Sequence, residues 1–230
     1  MLVAGLGQIR EAPFLLLRGA AYMVLVLMLL AAAADPPKKL MPIFSANDYP
    51  VEAQRKGQQG QVVADMLINP AGGVETCTVV LSSGYRELDD GTCSILYQRA
   101  QFIPAKDGAG NPMYSVVRTP PISWSLGSFR SVPVPPDYDI MINRAPDGIQ
   151  LPIEFAVRYL VTREGEARNC VLVPGRTPPT GLVALACQAV AAAQAQIIRN
   201  RQGVPVEAAK NAMCRFSLDD GQDKKKAAAP

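Results

Sequence analysis

Five cysteines and no histidine set the chemistry open to this chain. Without histidine there is no Ser-His-Asp or Cys-His nucleophile pair, no general base of the usual kind near neutral pH, and none of the commonest zinc and copper ligand. The acidic pairs Asp89-Asp90 and Glu164/Glu166 fall at a helix start and in a turn, where carboxylates serve the helix dipole and local turn hydrogen bonds. Ser82-Ser83-Gly84 lacks the Gly-x-Ser-x-Gly frame of a nucleophile elbow, and no helix follows Gly108-Ala109-Gly110 to make it a dinucleotide loop. No catalytic residue, metal ligand, cofactor site or small-molecule substrate is expected, and the chain reads as a binding protein rather than an enzyme.

The cysteines themselves point to structural bridges. Cys93 lies 16 residues after Cys77 and Cys187 lies 17 after Cys170, with Cys214 left over. Disulfides need an oxidising compartment, and the N-terminus supplies the route to one. Arg10 and Arg18 precede an uncharged apolar run, 19–34, that closes on an Ala-x-Ala pattern before Asp35-Pro36-Pro37. That run is shorter than the roughly 20 residues of a spanning helix, so 1–34 is expected to be a cleaved signal peptide. A helix started at Phe14, with Arg18 snorkelling, gives the alternative of an inner-membrane anchor facing the periplasm. In both cases the remainder is exported, and the expected bridges are Cys77–Cys93 and Cys170–Cys187, with Cys214 a buried free thiol.

The elements that must position these pairs repeat. The composition, 49% hydrophobic and 19% charged over 230 residues, is that of a mostly soluble globular protein, and a net charge of +3 points to neither nucleic acid nor a membrane surface. A short helix opens at Tyr49-Pro50 and stops at Gly57. Alternation over 60–69 and 74–81 around Pro70-Ala71-Gly72-Gly73 predicts an antiparallel hairpin; a helix to about Ala100 carrying Cys93 and a strand near 113–118 follow. The same order returns as a strand at 153–161, a turn at 163–166, a strand at 167–173 with Cys170, an alanine-rich helix at 181–200 with Cys187, and a strand at 208–218 with Cys214. The two cysteine offsets between the copies differ by a single residue, so a duplication is expected. Pro133, Pro135, Pro136 and Pro146 make 125–150 a linker with at most one edge strand, and 219–230, with Lys224-Lys225-Lys226, reads as a solvated tail.

The first unit resembles the TonB C-terminal domain family. Tyr49-Pro50, Ala53, Gly57, Gly60 and Val62, then Gly73-Val74, Ser82-Ser83-Gly84 with Leu88-Asp89, and Phe102 with Pro104-Ala105 follow that family's order and spacing. The resemblance covers about Tyr49 to Trp124. It implies an α+β fold for the first unit, a three-stranded antiparallel sheet packed by one or two helices; together with the duplication, which departs from the family, two tandem small domains of this kind are expected, 48–124 and a diverged copy at 151–218, after a short linker, 35–47.

The resemblance also implies a periplasmic protein that pairs a sheet edge with an extended segment of an envelope partner, such as a TonB-dependent outer-membrane receptor. The expected edge is the last strand of the first unit, Met113, Tyr114, Ser115, Val116, Val117 and Arg118, with 208–218 its counterpart. A structural scaffold that uses those edges to form a homodimer is the alternative. The chain departs from the family's energy transducers in having no histidine for a membrane helix, and in a spacer of about 14 residues that reaches at most about 45–50 Å.

Overall fold

The computed structural model describes residues 38–39, 43–175, 177–193 and 196–219. The expected leader at 1–34 and the tail after Asp219 lie outside the described residues. Among the described residues no helix is long and apolar enough to cross a membrane.

Strand β1 (Lys38–Lys39) precedes a 3-10 turn at Ala46–Asp48 and helix α1 (Val51–Arg55). Pro50 stands at the start of α1, and Gly57 ends it at φ +64°, a left-handed position that favours glycine. Strands β2 (Gly60–Ile68) and β3 (Val74–Leu81) form an antiparallel hairpin, and helix α2 (Arg86–Arg99) follows. Strands β4 (Phe102–Ile103), β5 (Ala105–Lys106), β6 (Pro112–Arg118) and β7 (Ile122–Trp124) complete the first half. The proline-rich stretch contributes one strand, β8 (Tyr138–Ile142). The second half is a hairpin of β9 (Ile153–Val161) and β10 (Ala167–Leu172), then helix α3 (Thr180–Ala192) and strand β11 (Ala208–Leu218).

Each helix forms because its apolar residues recur at helical spacing and need a sheet to cover. Helix α2 buries Leu88, Thr92, Ile95 and Leu96, and α3 buries Leu182, Ala186 and Val190. The expected helix over 181–200 stops at Ala192 instead. Ile198 accepts a hydrogen bond from the Val206 N–H, and Arg199 bridges to Pro205, so tertiary pairing takes these residues out of helical geometry.

One mixed sheet runs through both halves in the order β10-β9-β11-β6-β2-β3. The α+β fold and the three-stranded antiparallel set expected of each half, β10-β9-β11 and β6-β2-β3, are both present, and the two sets are continuous rather than standing as tandem sheets. The halves join through β6 and β11, which run parallel and pair Ala208 with Tyr114, Ala209 with Ser115 and Lys210 with Val116. Further along, β11 pairs in parallel with β8, Cys214 to Leu218 against Tyr138 to Ile142.

This junction sends the helices to opposite faces. On β2, Val62, Ala64, Met66 and Ile68 pack in one core with Leu88 and Leu96 of α2, so Leu67 points the other way. Leu67 packs instead in a separate cluster with Ala208, Tyr114 and Val116. Ala208 shares its face with Ala212, Cys214 and Phe216, which pack with Leu182, Ala186 and Val190 of α3. The first half's sheet is thus roofed by α2 on one side, and α3 stands on the other.

Both expected disulfides are present, with Cα atoms 5.8 Å apart for Cys77–Cys93 and 5.6 Å for Cys170–Cys187. Each ties the second hairpin strand to the following helix. Cys214 is free and buried. Closing loops of this length restricts the unfolded chain, worth about 3 kcal/mol each in the chain-entropy model. Replacing Cys77 and Cys93 together by serine should lower the melting temperature by about 6–12 °C for a fold of this size. Peptide mapping under non-reducing conditions should recover the two bridged pairs and one free thiol.

Candidate functional site

Both strands expected to offer a free edge lie inside the sheet. On one side of β6, Ser115, Val116, Val117 and Arg118 pair antiparallel with Ile68, Leu67, Met66 and Asp65 of β2. On the other, Tyr114, Ser115 and Val116 face β11, and Met113 also pairs with Ala105 of β5. Strand β11 is likewise filled, by β9 along one side and by β6 and β8 along the other. The two presumed capture edges have used their hydrogen-bonding groups on each other.

A charged cluster clamps this junction. Arg118 Nε and Nη2 donate to the two carboxylate oxygens of Asp65 at 2.7 and 3.0 Å, and its Nη1 donates to Asp137 at 2.7 Å. The other oxygen of Asp137 accepts the Met213 N–H at 2.8 Å, and the Asp137 N–H donates to the Met213 carbonyl at 2.9 Å. Asp137 thereby fills the gap on β11 between its pairing with β6 and its pairing with β8. Hydrogen bonding to Asp65 holds the Arg118 guanidinium well above its ordinary pKa, so it stays charged throughout the accessible pH range.

The sheet ends at β3 and β10, and the two ends differ. At β3, the phenol oxygen of Tyr97 on α2 accepts the Cys77 N–H at 2.8 Å. Arg201 then closes over this cap. Its guanidinium sits 5.3 Å from the Tyr97 ring centroid, and its N–H donates to Glu75 at 3.3 Å. Tyr97 stands four residues after Cys93, one helical turn along the same face. Four residues after Cys187 stands Ala191, so the matching helix position offers β10 no phenol. The Thr162 N–H donates to Glu166 and the Val173 N–H to Ala156, so alternation turns the backbone groups of Ala167 and Leu172 outward. A bulge with Asn169 at φ 54° lies between them and divides the edge.

The residues that carried the family resemblance turn out to be framework. Asp89 accepts hydrogen bonds from the Ser83 N–H at 2.9 Å and from the Ser82 and Ser83 hydroxyls at 2.6 and 2.8 Å, fastening the loop ahead of α2. The Tyr49 hydroxyl donates to the Gln58 carbonyl at 2.5 Å, and its ring meets Trp124 edge-on at 5.4 Å. A Cβ on Gly60 would lie 2.6 Å from the Ser83 carbonyl oxygen, which restricts that position to glycine. The model of the family described as Gram-negative bacterial TonB protein C-terminal matches residues 45–126. Residues 45–126 are a TonB C-terminal domain. No curated protein matches the chain. The match covers the first half of the sheet and leaves the second half outside it.

The sequence reading missed Tyr97, Asp137 and Lys210. Helical spacing from Cys93 was enough to place Tyr97 beside the bridge. Asp137 lies in the proline-rich stretch and Lys210 on β11, and their roles depend on a pairing that no local pattern announces.

Two measurements follow. Arg118→Ala should destabilise the protein by about 2–3 kcal/mol, the usual cost of hydrogen bonds to charged groups, because Asp65 and Asp137 then face each other uncompensated. A denaturant midpoint that does not move would contradict the clamp. Burial pushes the Cys214 thiol up to about 11 from its ordinary 9.0, with Asp137 adding to the effect. The fold favours the neutral thiol, so this contribution is whole below pH 9.0 and disappears as the pH climbs to about 11. At pH 8 the native protein should release almost no colour with Ellman's reagent, and the denatured protein one equivalent.

Proposed function

We propose that this TonB-like protein binds an extended segment of an envelope partner by β-augmentation, and that the segment adds to the β10 edge of the second half. A TonB-dependent outer-membrane receptor is the partner class this reading points to. Support comes first from the family, whose matched domain is half of the sheet. The observation that carries the location is Ala191, which leaves β10 uncapped where Tyr97 covers the matching place beside β3. The second half, with the same strand order and the same bridge, is in this reading a diverged copy of the domain that has taken over capture. Strand β6 of the first copy is spent on holding it.

The closed β6 edge also favours a second reading. A protein whose two domains consume each other's edges suits a scaffold without force transfer, and the β10 edges of two copies then pair in a homodimer.

One experiment separates them. With a photocrosslinking amino acid at the exposed Arg168 position, in cells, augmentation predicts capture of a different envelope protein. Recovery of the same chain supports the scaffold instead. Ala167→Pro removes an outward backbone donor without breaking the ladder to β9, and should lower the crosslink at least fivefold while the melting temperature moves little. No response of the crosslink to Ala167→Pro would overturn the assignment of β10.

A further inference from the structure

The face of the first domain's sheet that α2 does not cover is the floor of a groove of about 480 Å³. Thr76 and Thr78 of β3, Leu67 of β2 and Val116 of β6 line its floor, Lys210 and Tyr159 continue it onto the second half, and Ile197 to Arg199 rise as one wall. The groove therefore crosses five neighbouring strands, β3-β2-β6-β11-β9. At about 4.8 Å per strand spacing its length is about 19 Å, that of roughly six extended residues. A volume of 480 Å³ spread over such a length leaves the cross-section of one extended chain rather than of a compact small molecule.

The charges in this groove do not balance. Asp65 is the one carboxylate in the lining, and both its oxygens are taken by Arg118. Lys210 and Arg199 line the same groove, and among the described residues neither has a carboxylate within ion-pair distance; Arg199 donates only to the Gly203 carbonyl, at 2.8 Å. Tyr138 and Tyr159 stand beside them with hydrogen-bonded phenols, kept neutral because burial pushes both pKa values up. Two unpaired cations above an apolar floor of Leu67, Val116, Val161 and Ile198 call for a ligand with carboxylates on an otherwise apolar strip.

We propose that this groove is a second docking surface, distinct from the β10 edge, and that it takes an acidic extended segment of a partner protein, whose carboxylates meet Lys210 and Arg199 while its apolar side chains lie on Leu67 and Val116. Leu67 and Val116 come from the first half and Val161, Ile198 and both cations from the second, so the surface exists only because β11 docks on β6.

The test uses the full mature chain and two fluorescein-labelled peptides of eight residues, one alternating glutamate with valine and the other lysine with valine. Fluorescence anisotropy should show the acidic peptide binding at least tenfold more tightly, with an affinity that falls as salt rises from 50 to 300 mM. Amide shifts in NMR spectra should cluster at Leu67, Val116 and Lys210. Arg199→Glu, on an exposed segment outside the strands, should weaken binding at least tenfold. Lys210→Gln, milder within its strand, should do so severalfold with circular dichroism unchanged. Equal affinity for the two peptides, shifts confined to β10, indifference to Arg199→Glu, or no binding at millimolar peptide would each overturn the proposal. Ala167→Pro should leave this binding intact, so the outcome reads separately from that at the β10 edge.

Discussion

Three residue pairs hold the architecture together: Ala208 with Tyr114, Ala209 with Ser115 and Lys210 with Val116, at the parallel contact between β11 and β6. An exposed strand offers a row of unpaired backbone groups, and proteins either hide such an edge or use it. Here two such edges, β6 of the first half and β11 of the second, satisfy one another. The contact is short, and parallel pairing is the slightly weaker kind, so reinforcement is needed. Arg118 provides it by joining Asp65 on β2 to Asp137 at the head of β8, which is itself fastened to Met213 of β11. The cluster is only partly exposed, where charge-assisted hydrogen bonds lose less to solvent than they would on an open surface.

The parallel direction of that contact decides the shape of everything around it. Two units of one handedness, joined through the parallel strands β6 and β11, are related by a half-turn about the strand direction, and that rotation exchanges the faces of the sheet. The helices must then lie on opposite sides. One consequence is that the first domain keeps an uncovered sheet face, and the segment following α3 stands beside it as a wall. Had the strands met antiparallel, both helices would share a face and no groove of this kind would form.

Each half has a modest core, and the bridges matter for that reason. Small domains bury a limited share of their surface, and exported ones commonly add disulfides to compensate. Both bridges fasten a hairpin strand to the helix above it, the contact that a three-stranded sheet with one helix can least do without. In the first half the aromatic group of Phe44, Tyr49 and Trp124 adds a further layer, with the Trp124 indole N–H donating to the buried Thr92 hydroxyl at 2.9 Å. Among its described residues the second half relies on stacked Phe155 and Phe216 and a helix of small residues instead.

What could be read from the chain alone was whatever is encoded locally. Alternation over β2, β3 and β9, the four-residue spacing of buried positions in the helices, and the near-equal separations of the cysteine pairs are properties of neighbouring residues, and each led to the element or bridge observed. The family signature was legible for the same reason: Asp89 caps a loop six residues away, and Gly60 makes room for Ser83 within the same unit. What only the tertiary structure decided is long-range. Met113 to Arg118 read as an edge because nothing near them in sequence shows that Ala208 to Lys210 will occupy it. Asp137 sat in a stretch that read as linker because its partners, Arg118 and Met213, are supplied by two other strands. An edge is defined by the strand that is missing beside it, and that is a property of the assembled sheet rather than of any segment within it.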